Sequence, residues 1–177
     1  MGGGEGEEGE EGDAEGVRLG IISDTHGLLR PEVHDVFAKV DRILHAGDVG
    51  DESILDELQV LAPVTAVYGN TDGWALRRRL PDVAEGLIDG FRFVVIHGDR
   101  FGSPTPARLR KEFPEADVMV FGHTHVPLIH NFPDFEVALN PGSAGPRRFD
   151  LPVTVAIMET EPGIPPRARI VPLLEAR

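Results

Sequence analysis

Two histidines stand two residues apart in the segment Gly122-His123-Thr124-His125, directly after the apolar run Val118–Phe121. If that run is a buried strand, both imidazoles leave its end on the same side of the chain. Four earlier apolar runs also end in Asp, Asn or His next to a glycine, at Asp24-Thr25-His26-Gly27, Gly47-Asp48, Gly69-Asn70 and His97-Gly98. Because open α/β sheets build their sites at strand ends, the pattern predicts that these side chains gather in one place.

Seven side chains of these segments carry oxygen or nitrogen atoms that can bind a metal: Asp24, His26, Asp48, Asn70, His97, His123 and His125. Such donors suit Mn²⁺, Fe, Zn²⁺, Co²⁺ or Ni²⁺ better than Ca²⁺ or Cu⁺. Seven ligands are too many for one tetrahedral ion, so they favour two ions that share a carboxylate. Two divalent ions and two aspartates leave a net charge of about +2, which suits a phosphate anion.

In this order, the five blocks resemble those of the calcineurin-like metallophosphoesterases, in particular the small single-domain phosphodiesterase branch. The blocks of that family are D-x-H, G-D, G-N, H-G and G-H-x-H, and each has a counterpart here. The resemblance extends over residues 17 to 172. One block alone also fits an ordinary turn or cap, whereas five in order are specific.

The resemblance implies a hydrolase that uses two divalent transition-metal ions, with Mn²⁺ as the first choice and Fe, Zn²⁺, Ni²⁺ or Co²⁺ as alternatives. The first ion would be held by Asp24, His26, Asp48 and His125, and the second by Asp48, Asn70, His97 and His123, with Asp48 as the bridge. A hydroxide shared by the ions would attack a small phosphodiester in line, without a covalent enzyme intermediate. Asp48, Asn70 and His97 are the predicted catalytic residues.

The third block differs from that of larger members of the superfamily, which carry a histidine after Gly-Asn that is thought to assist the leaving group. Thr71 stands there in this chain, and an alcohol is not a general acid near neutral pH. Small members generally lack the histidine as well. The difference therefore leaves the resemblance intact and predicts slow hydrolysis of esters with poor leaving groups.

The alternative function is a non-catalytic metal-binding scaffold for protein interactions. Some members of this fold, among them a scaffold subunit of the retromer coat, bind proteins and have damaged metal sites. All seven ligand positions are filled here, which favours an enzyme. Metal-dependent turnover, or its absence, discriminates between the two functions. A homodimer is expected by analogy only.

The composition fits one domain with a sizeable core, since the chain has 177 residues. It has no cysteine, which excludes disulfides and thiolate metal ligands. No apolar run approaches the roughly 20 residues that span a bilayer, and no signal peptide is recognised. These features predict a cytoplasmic protein without a membrane segment.

The net charge of −13 is unevenly distributed. Residues 1–16 hold seven acids and no base, and the remainder holds 23 acids and 17 bases, a net charge of −6. We expect this Gly/Glu-rich segment to be a disordered acidic tail and residues 17–177 to form a single domain. The acidic remainder argues against bulk binding of nucleic acid, although a nucleotide could enter a locally positive cleft.

Strands and helices alternate in the first part of the sequence. Strands are predicted at residues 17–22, 43–46 and 64–68, with helices at 31–38 and 51–61. Further strands are predicted at residues 87–88, 91–96, 118–121, 128–131, 135–139, 154–158 and 168–172, with one short helix at 107–113. We therefore expect two sheets packed face to face. The fold of the family agrees, a four-layer α/β/β/α sandwich of two mixed sheets flanked by helices.

Other polar residues near these blocks have structural interpretations. His45 precedes Gly47-Asp48 inside a strand, where it is expected to be buried and could orient a ligand. His34 and His130 are expected on a helix surface and on a strand beyond the site. A turn is predicted at residues 140–143, near the site. The arginines at 77–79 and 147–148 are interpreted as solvated charge, with a second phosphate or a nucleotide as the functional alternative.

Overall fold

The computed structural model describes residues 16–174. The predicted acidic tail lies outside the described residues except for Gly16, which is exposed. Within the described range the elements are β1 (Val17–Ile22), α1 (Pro31–Val36), β2 (Arg42–His45), α2 (Glu52–Leu61), β3 (Val64–Ala66), α3 (Trp74–Arg79), β4 (Val83–Ile88), β5 (Phe91–Ile96), α4 (Pro106–Glu112), β6 (Val118–Phe121), β7 (Leu128–Asn131), β8 (Val137–Asn140), β9 (Thr154–Glu161) and β10 (Ile164–Pro172). Two short 3₁₀ helices cover Asp99–Phe101 and Pro133–Phe135.

The first sheet has the strand order β10-β9-β1-β2-β3. β1, β2 and β3 are parallel, while β9 runs antiparallel to β1 and β10 antiparallel to β9. The crossovers are α1, which starts with Pro31 in its first turn, and α2, where the Asp51 side chain accepts from the Ser53 amide as an N-cap. The parallel strands therefore bring their carboxyl ends to one edge.

The second sheet has the order β4-β5-β6-β8-β7, with a parallel centre and antiparallel edge strands. The hairpin between β4 and β5 turns at Asp89-Gly90, both with positive φ (50° and 82°), as a tight two-residue turn requires. The predicted sandwich of two mixed sheets is confirmed.

Three apolar clusters separate the four layers. Leu19 and Ile21 of β1 point between the sheets toward Phe93 and Val120, while the alternate residue Ile22 packs on the helical side. The outer helices contribute Leu55 and Leu58 of α2 to the first sheet and Leu109 of α4 to the second. Both sheets are thus buried on two faces, which explains the continuous apolar runs before each ligand block.

Several predicted boundaries are wrong. β3 ends at Ala66 instead of residue 68, because the Tyr68 amide bonds to the Pro81 carbonyl after the chain has turned away. β4 begins at Val83 instead of residue 87, since its first residues pair with the end of β5. The strand predicted at 135–139 begins only at Val137, after a 3₁₀ turn. The arginines 77–79 lie in α3, a helix that the sequence analysis did not predict.

Among the described residues, no helix has the length and apolar character needed to cross a bilayer.

Candidate metal centre

The candidate metal centre lies where five strands end, three from the first sheet and two from the second. Asp24 and His26 follow β1, Asp48 follows β2 and Asn70 follows β3. His97 directly follows β5, and two histidines follow β6, at positions 123 and 125. The candidate ligands span about 100 positions of the sequence. They come together only because the two sheets pack against each other.

One group of donor atoms consists of Asp24, His26 and His125. The Nε2 atom of His125 lies 3.1 Å from Asp24 Oδ1, and the Nε2 atom of His26 lies 3.8 Å from the same oxygen. The two Nε2 atoms are 3.4 Å apart. Three donor atoms thus face a common point, and this set matches three of the four ligands predicted for the first ion.

A second group surrounds His97, whose Nε2 atom lies 3.3 Å from Asp48 Oδ2 and 3.1 Å from Asn70 Oδ1. The His123 ring meets the His97 ring edge-on at a centroid distance of 5.2 Å. Asp24, Asp48 and His97 also have donor atoms within 4.8 Å of one another. The two groups therefore adjoin, and all seven predicted ligands lie in one cluster.

The bonding of Asp24 tests whether this cluster fits a cation. Asp24 is fully buried, and its Oδ2 accepts from the Ser23 hydroxyl at 2.6 Å and the His123 amide at 3.2 Å. Its Oδ1 accepts no hydrogen bond from any described residue, although His125 Nε2 is close. A buried carboxylate oxygen without a donor is costly, and a divalent transition-metal ion among these oxygens and imidazoles would satisfy it.

The backbone at the cluster is strained. Five of the seven residues have positive φ although none is glycine: Asp24 (55°), His26 (46°), Asp48 (51°), His123 (70°) and His125 (59°). Such conformations cost on the order of 1 kcal/mol or more each and persist where the surroundings enforce them. They aim the side chains into the cluster instead of along the strand, which is typical of a functional site.

At two glycines of the blocks there is no room for a side chain. A Cβ atom at Gly69 would overlap Asp48 Oδ1, and one at Gly122 would overlap the Ser23 hydroxyl that bonds to Asp24. Each glycine thus lets one strand end approach the carboxylate of a neighbouring strand end. This close approach explains why Asn70 and His123 each follow a glycine.

A family model described as the calcineurin-like phosphoesterase superfamily domain matches residues 17–163. The chain belongs to the calcineurin-like phosphoesterase superfamily. A probable metallophosphoesterase of Methanocaldococcus jannaschii is 42% identical over 133 residues, which cover 71% of this chain and 67% of that protein. One of Methanothermobacter thermautotrophicus is 41% identical over 152 residues, 81% of this chain and 87% of that protein.

Several solved structures share the fold. Vacuolar protein sorting 29 from Cryptosporidium parvum superposes with a TM-score of 0.75 at 18% identity, over 92% of this chain and 100% of that chain. An archaeal phosphodiesterase superposes with a TM-score of 0.69 at 25% identity, over 87% of this chain and 99% of that chain. The architecture of this phosphoesterase domain is thus that of both a sorting protein and a phosphodiesterase.

Two residues that the sequence analysis did not assign to the site brace its loops. The buried Asp72 carboxylate accepts from the amides of Val49 (3.1 Å), Gly50 (2.8 Å) and Gly69 (2.9 Å). Arg77 donates to the carbonyls of Asp72, Gly69 and Asn70 and stacks over Tyr68. The only sequence signal was an acid two residues after the Gly69-Asn70 pair, a pattern that also occurs in ordinary Asx turns.

The predicted turn at residues 140–143 joins the two sheets beside the metal centre. The Asn140 side-chain amide donates to the Gly122 carbonyl and to the Thr124 hydroxyl of the second sheet's loop. The Ser143 hydroxyl donates to the Asp24 carbonyl of the first sheet's loop at 3.0 Å. The turn therefore fixes the spacing between candidate ligands that come from different sheets.

His45 is buried and supports the loop before Asp48. Its Nδ1 accepts from the Gly47 amide at 3.2 Å, so its Nε2 carries the proton and donates to the Thr25 hydroxyl at 3.0 Å. Burial lowers the pKa of His45 to about 4, although nearby aspartates oppose the shift. His45 thus stays neutral and links the loops of Asp24 and Asp48, as its interpretation as a buried orienting residue predicts.

Two histidines of the centre have pKa values that are shifted in opposite directions. Burial lowers the pKa of His97, but the hydrogen bond to Asp48, the charges of Asp24 and Asp48 and the bond to the Ala46 carbonyl together raise it to about 9. Burial also lowers the pKa of His26; Asp24 and Asp48 oppose this, while the charges of Arg148 and His125 reinforce it. In the metal-free state His97 is therefore the protonated partner of Asp48.

Two further histidines and two arginines of α3 lie outside the centre. His34 pairs with Glu57 at 3.0 Å on the helical surface, and the His130 ring on β7 meets the Phe132 ring edge-on. Arg79 pairs with Asp56 at 2.8 Å, and Arg78 lies over the Trp74 ring. Arg77 is not merely solvated, as the sequence predicted, because it binds the loop carbonyls.

Proposed function

We propose that this protein is a phosphodiesterase that depends on two divalent transition-metal ions and hydrolyses a small phosphodiester. The observation that carries the proposal is the meeting at the strand ends of five donor side chains, two of them buried carboxylates, with Asn70 and His123 in contact with His97. This donor set binds the metals that activate water at neutral pH, and its net charge with two ions favours a phosphate. Membership of the phosphoesterase superfamily supports the same chemistry.

In this proposal Asp48 would be a ligand of both ions. Its Oδ2 lies 3.9 Å from His26 Nε2 and 3.3 Å from His97 Nε2, so it faces one histidine of each proposed ligand set. Asp24 has atoms in both donor groups, but its free Oδ1 faces two histidines of the first set only. Its other oxygen is occupied by Ser23 and the His123 amide.

Divalent ions held here would polarise the phosphoryl oxygens and lower the pKa of water, which supplies the nucleophile. Asp48, Asn70 and His97 are the proposed catalytic residues, because His97 Nε2 contacts both of the others, and Asn70 links this buried pair to the surface. His97 Nδ1 donates to the Ala46 carbonyl at 2.8 Å, which orients Nε2 toward the centre. Mn²⁺ remains our first choice of metal.

The diester preference rests on the similarity to the archaeal phosphodiesterase and on the lack of an evident acid near Asn70. The exposed Thr71 replaces the histidine of larger members, and its amide donates to Asp48 Oδ1 at 2.9 Å. Asp72, an alternative proton donor, has both oxygens occupied by amides. Esters with good leaving groups are therefore the proposed substrates.

The alternative, a non-catalytic metal-binding scaffold, is kept because the fold of this chain matches vacuolar protein sorting 29. The filled ligand set and the unpartnered Asp24 oxygen favour the enzyme, since a pure interaction surface gains nothing from them. A homodimer and a cytoplasmic location stay predictions from the sequence.

The proposed function is tested with metal-stripped protein and bis(p-nitrophenyl) phosphate over a panel of Mn²⁺, Fe²⁺, Co²⁺, Ni²⁺, Zn²⁺ and Mg²⁺. Turnover should be absent without metal and return with a transition-metal ion, at close to two ions per chain by elemental analysis. Two bound ions without turnover of this diester or of p-nitrophenyl phosphate would support the scaffold. One ion, or none, at saturating Mn²⁺ would contradict the binuclear centre.

A further inference from the structure

The free edges of the two sheets are protected to different degrees. β3 has three residues and β7 has four, while β10 carries three prolines and a register shift against β9. Short strands, prolines and irregular pairing keep an edge from joining another chain. β4, at one edge of the second sheet, has six residues, no proline and an unbroken register with β5. It is therefore the edge that is open to a further strand.

The backbone of β4 is accessible where such a strand would pair. Glu85, Gly86 and Leu87 are exposed, and Leu87 keeps 68% of its surface in water. Apart from the ladder with β5, no residue of β4 forms a backbone hydrogen bond within residues 16–174. Beyond its chain neighbours, nothing lies within 4 Å of the Cβ position of Gly86. The donors and acceptors on the free side of β4 are thus left to solvent.

The outer face of β4 borders a cleft of about 690 Å³. The cleft lies between the β4–β5 hairpin and the end of α4, with Leu87, Val94 and Phe113 among the apolar residues of its wall. Its charged residues are Glu85, Glu112, Glu115 and Arg92. Three acids and one base give this wall a net charge of −2, so the cleft combines apolar surface with negative charge.

The negative charge of this cleft is available to a partner. Glu112 pairs with Arg100 at 3.4 Å and Glu115 with Arg92 at 3.3 Å, but all four side chains are at least 43% exposed. Exposed pairs of this kind contribute little and can exchange partners. Glu85, on β4 itself, forms no ion pair with any described residue. A cation that approaches β4 therefore meets at least one free carboxylate.

The inner face of β4 borders a narrow gap between the two sheets. Ala84 and Ile88 point toward the apolar cluster between the sheets, and Gly86, which lies between them, has no side chain to fill the space. Leu44 and Thr65 of the first sheet also line this gap, which measures about 60 Å³. A strand beside β4 would thus place every second side chain at an apolar gap and the others on the side of the glutamates.

We propose that β4 is a docking edge for an extended segment of a partner protein in which basic and apolar residues alternate. The backbone of the segment would bond to β4, and its apolar side chains would enter the gap between the sheets. Lysine or arginine stems would lie over Leu87, with their charges at Glu85. A second copy of this chain fits less well, because two-fold pairing of β4 would bring the same glutamates together.

The docking edge is separate from the metal centre. Leu87 pairs with Arg92 at the start of β5, whereas the candidate ligand His97 follows the other end of that strand. The two ends are about 17 Å apart, from the usual rise of a strand. Docking at β4 therefore goes beyond the proposed function, and it holds for a catalytic and for a non-catalytic protein alike.

The test uses a labelled eight-residue peptide that alternates lysine with valine or leucine and is blocked at both ends. Fluorescence anisotropy with the full chain should show saturable binding that weakens with salt. Two further peptides carry N-methyl groups on the amides of either the lysines or the apolar residues. Because the amides of a strand point alternately to its two sides, one of these peptides should lose binding and the other should keep it.

Two substitutions on β4 test the contacts of the side chains. Glu85→Lys should weaken binding by about 2- to 25-fold, since the loss and the reversal of an exposed charge pair each count roughly 1.4- to 5-fold. Leu87→Ala should weaken it by about fourfold for each carbon that the complex buries. Glu161→Lys and Leu128→Ala are matched controls, because these exposed residues lie on β9 and β7, and both variants should bind as wild type.

Hydrogen exchange locates the bound peptide. Amides on the free side of β4 should exchange more slowly in the complex, while those of the edge strand β7 should not change. No binding at about 1 mM peptide, protection only outside β4, or equal effects of the two methylated peptides would overturn the docking edge. A dimer of the chain alone that Leu87→Lys dissociates, found in place of peptide binding, would make a second copy the occupant and would overturn the basic partner.

Discussion

The carboxylate of Asp48 is held in its charged form by its neighbours in the candidate metal centre. Burial raises its pKa, but the hydrogen bond and charge of His97 and the Thr71 amide outweigh burial and hold the pKa well below the usual range. The carboxylate is therefore ionised at any physiological pH. Its Oδ2 remains directed at histidines of both proposed ligand sets.

Asp48→Asn should be the most damaging conservative change among the ligands. An amide keeps the shape but neutralises no part of either metal charge, so the occupancy of both ions and the turnover should fall together, by more than about 100-fold. Elemental analysis and diester turnover measure this. Asp117→Asn, which alters an acceptor of the Arg92 amide at the far end of β5, is the control. Wild-type turnover in Asp48→Asn would show that Asp48 is not the bridge.

His97 should make metal binding depend on pH. Its pKa of about 9 in the metal-free protein means that a proton must leave Nε2 before an ion binds there, whereas His26, with its lowered pKa, is already neutral at pH 7. Apparent affinity for Mn²⁺ should rise by up to about tenfold per pH unit between 7 and 9 and then level off. Calorimetry under nitrogen, in buffers of different ionisation enthalpy, measures the released proton.

The raised pKa of His97 affects the stability of the metal-free protein in the opposite direction, because rising pH lowers that stability. The folded pKa of His97 lies above its ordinary value of 6.5, so its contribution is fully present below pH 6.5 and is lost as pH rises through about 9. His97→Asn should abolish both the proton release on metal binding and this part of the pH dependence. Affinity that stays constant between pH 7 and 9 in the wild type would contradict the role of His97.

Thr71 should make hydrolysis sensitive to the leaving group. A positioned general acid typically contributes about 10²–10⁴-fold, and neither Thr71 nor the amide-bound Asp72 supplies one. In a series of diesters graded by leaving-group pKa, the rate should fall steeply from nitrophenyl to alkyl esters, provided that the chemical step limits turnover. Thr71→His should accelerate the poor leaving groups selectively. A flat series in the wild type would reveal an acid that lies elsewhere.

At the scale of elements, the loops that end β2 and β3 act as one unit. Asp72 belongs to the loop after β3, yet two of its three amide donors, Val49 and Gly50, lie in the loop after β2. Arg77 of α3 completes the brace by binding three carbonyls of the β3 loop. The positions of Asp48 and Asn70 relative to each other depend on this brace.

Asp72→Ala should therefore weaken metal binding although Asp72 is not a ligand. It leaves three amides without an acceptor, each at a cost of about 1–3 kcal/mol if buried, so the melting temperature and the Mn²⁺ affinity should both fall. Asp117→Ala, which frees the Arg92 amide far from the site, should lower stability without changing metal affinity. Normal metal affinity in Asp72→Asn, combined with a steeper leaving-group dependence, would instead assign Asp72 as the acid.

At the scale of the whole molecule, the metal centre is a junction between the two sheets. Asp24, Asp48 and Asn70 come from the first sheet, and His97 and His125 from the second. Apart from this cluster, the turn from Asn140 to Ser143 joins the two ligand loops. Ions bound across the junction should hold the sheets together.

Metal loading should therefore stabilise the entire domain. At about 1,000 times the dissociation constant, a ligand of the folded state adds about 4 kcal/mol, which corresponds to roughly 10 °C in the melting temperature of a chain this long. Differential scanning calorimetry with and without Mn²⁺ measures the shift. A variant that starts at Gly16 should show the same shift and the same kinetic constants. A large loss in that variant, when folded and metal-loaded, would assign a role to the acidic segment.

The sequence by itself determined the fold class and pointed to the candidate ligands. Apolar runs that end in Asp, Asn or His beside glycine are local signals. A strand that is buried on both faces is apolar along its length, and a site at the strand end places polar residues directly after it. The clustering of the seven candidate ligands, the helices on the outer faces and the Asp89-Gly90 turn could all be predicted in this way. The resemblance to the phosphoesterases rested on the same segments.

Only the tertiary structure decided how those ligands are held. The positive φ angles at Asp24 and Asp48 and the brace by Asp72 depend on contacts between loops far apart in the sequence. The same holds for α3, whose six residues have one buried apolar side chain, Leu76, and so carry almost no periodic signal. In a sequence, a bracing acid or arginine cannot be distinguished from a solvated one. Only the partners of each side chain in the folded protein show which role it has.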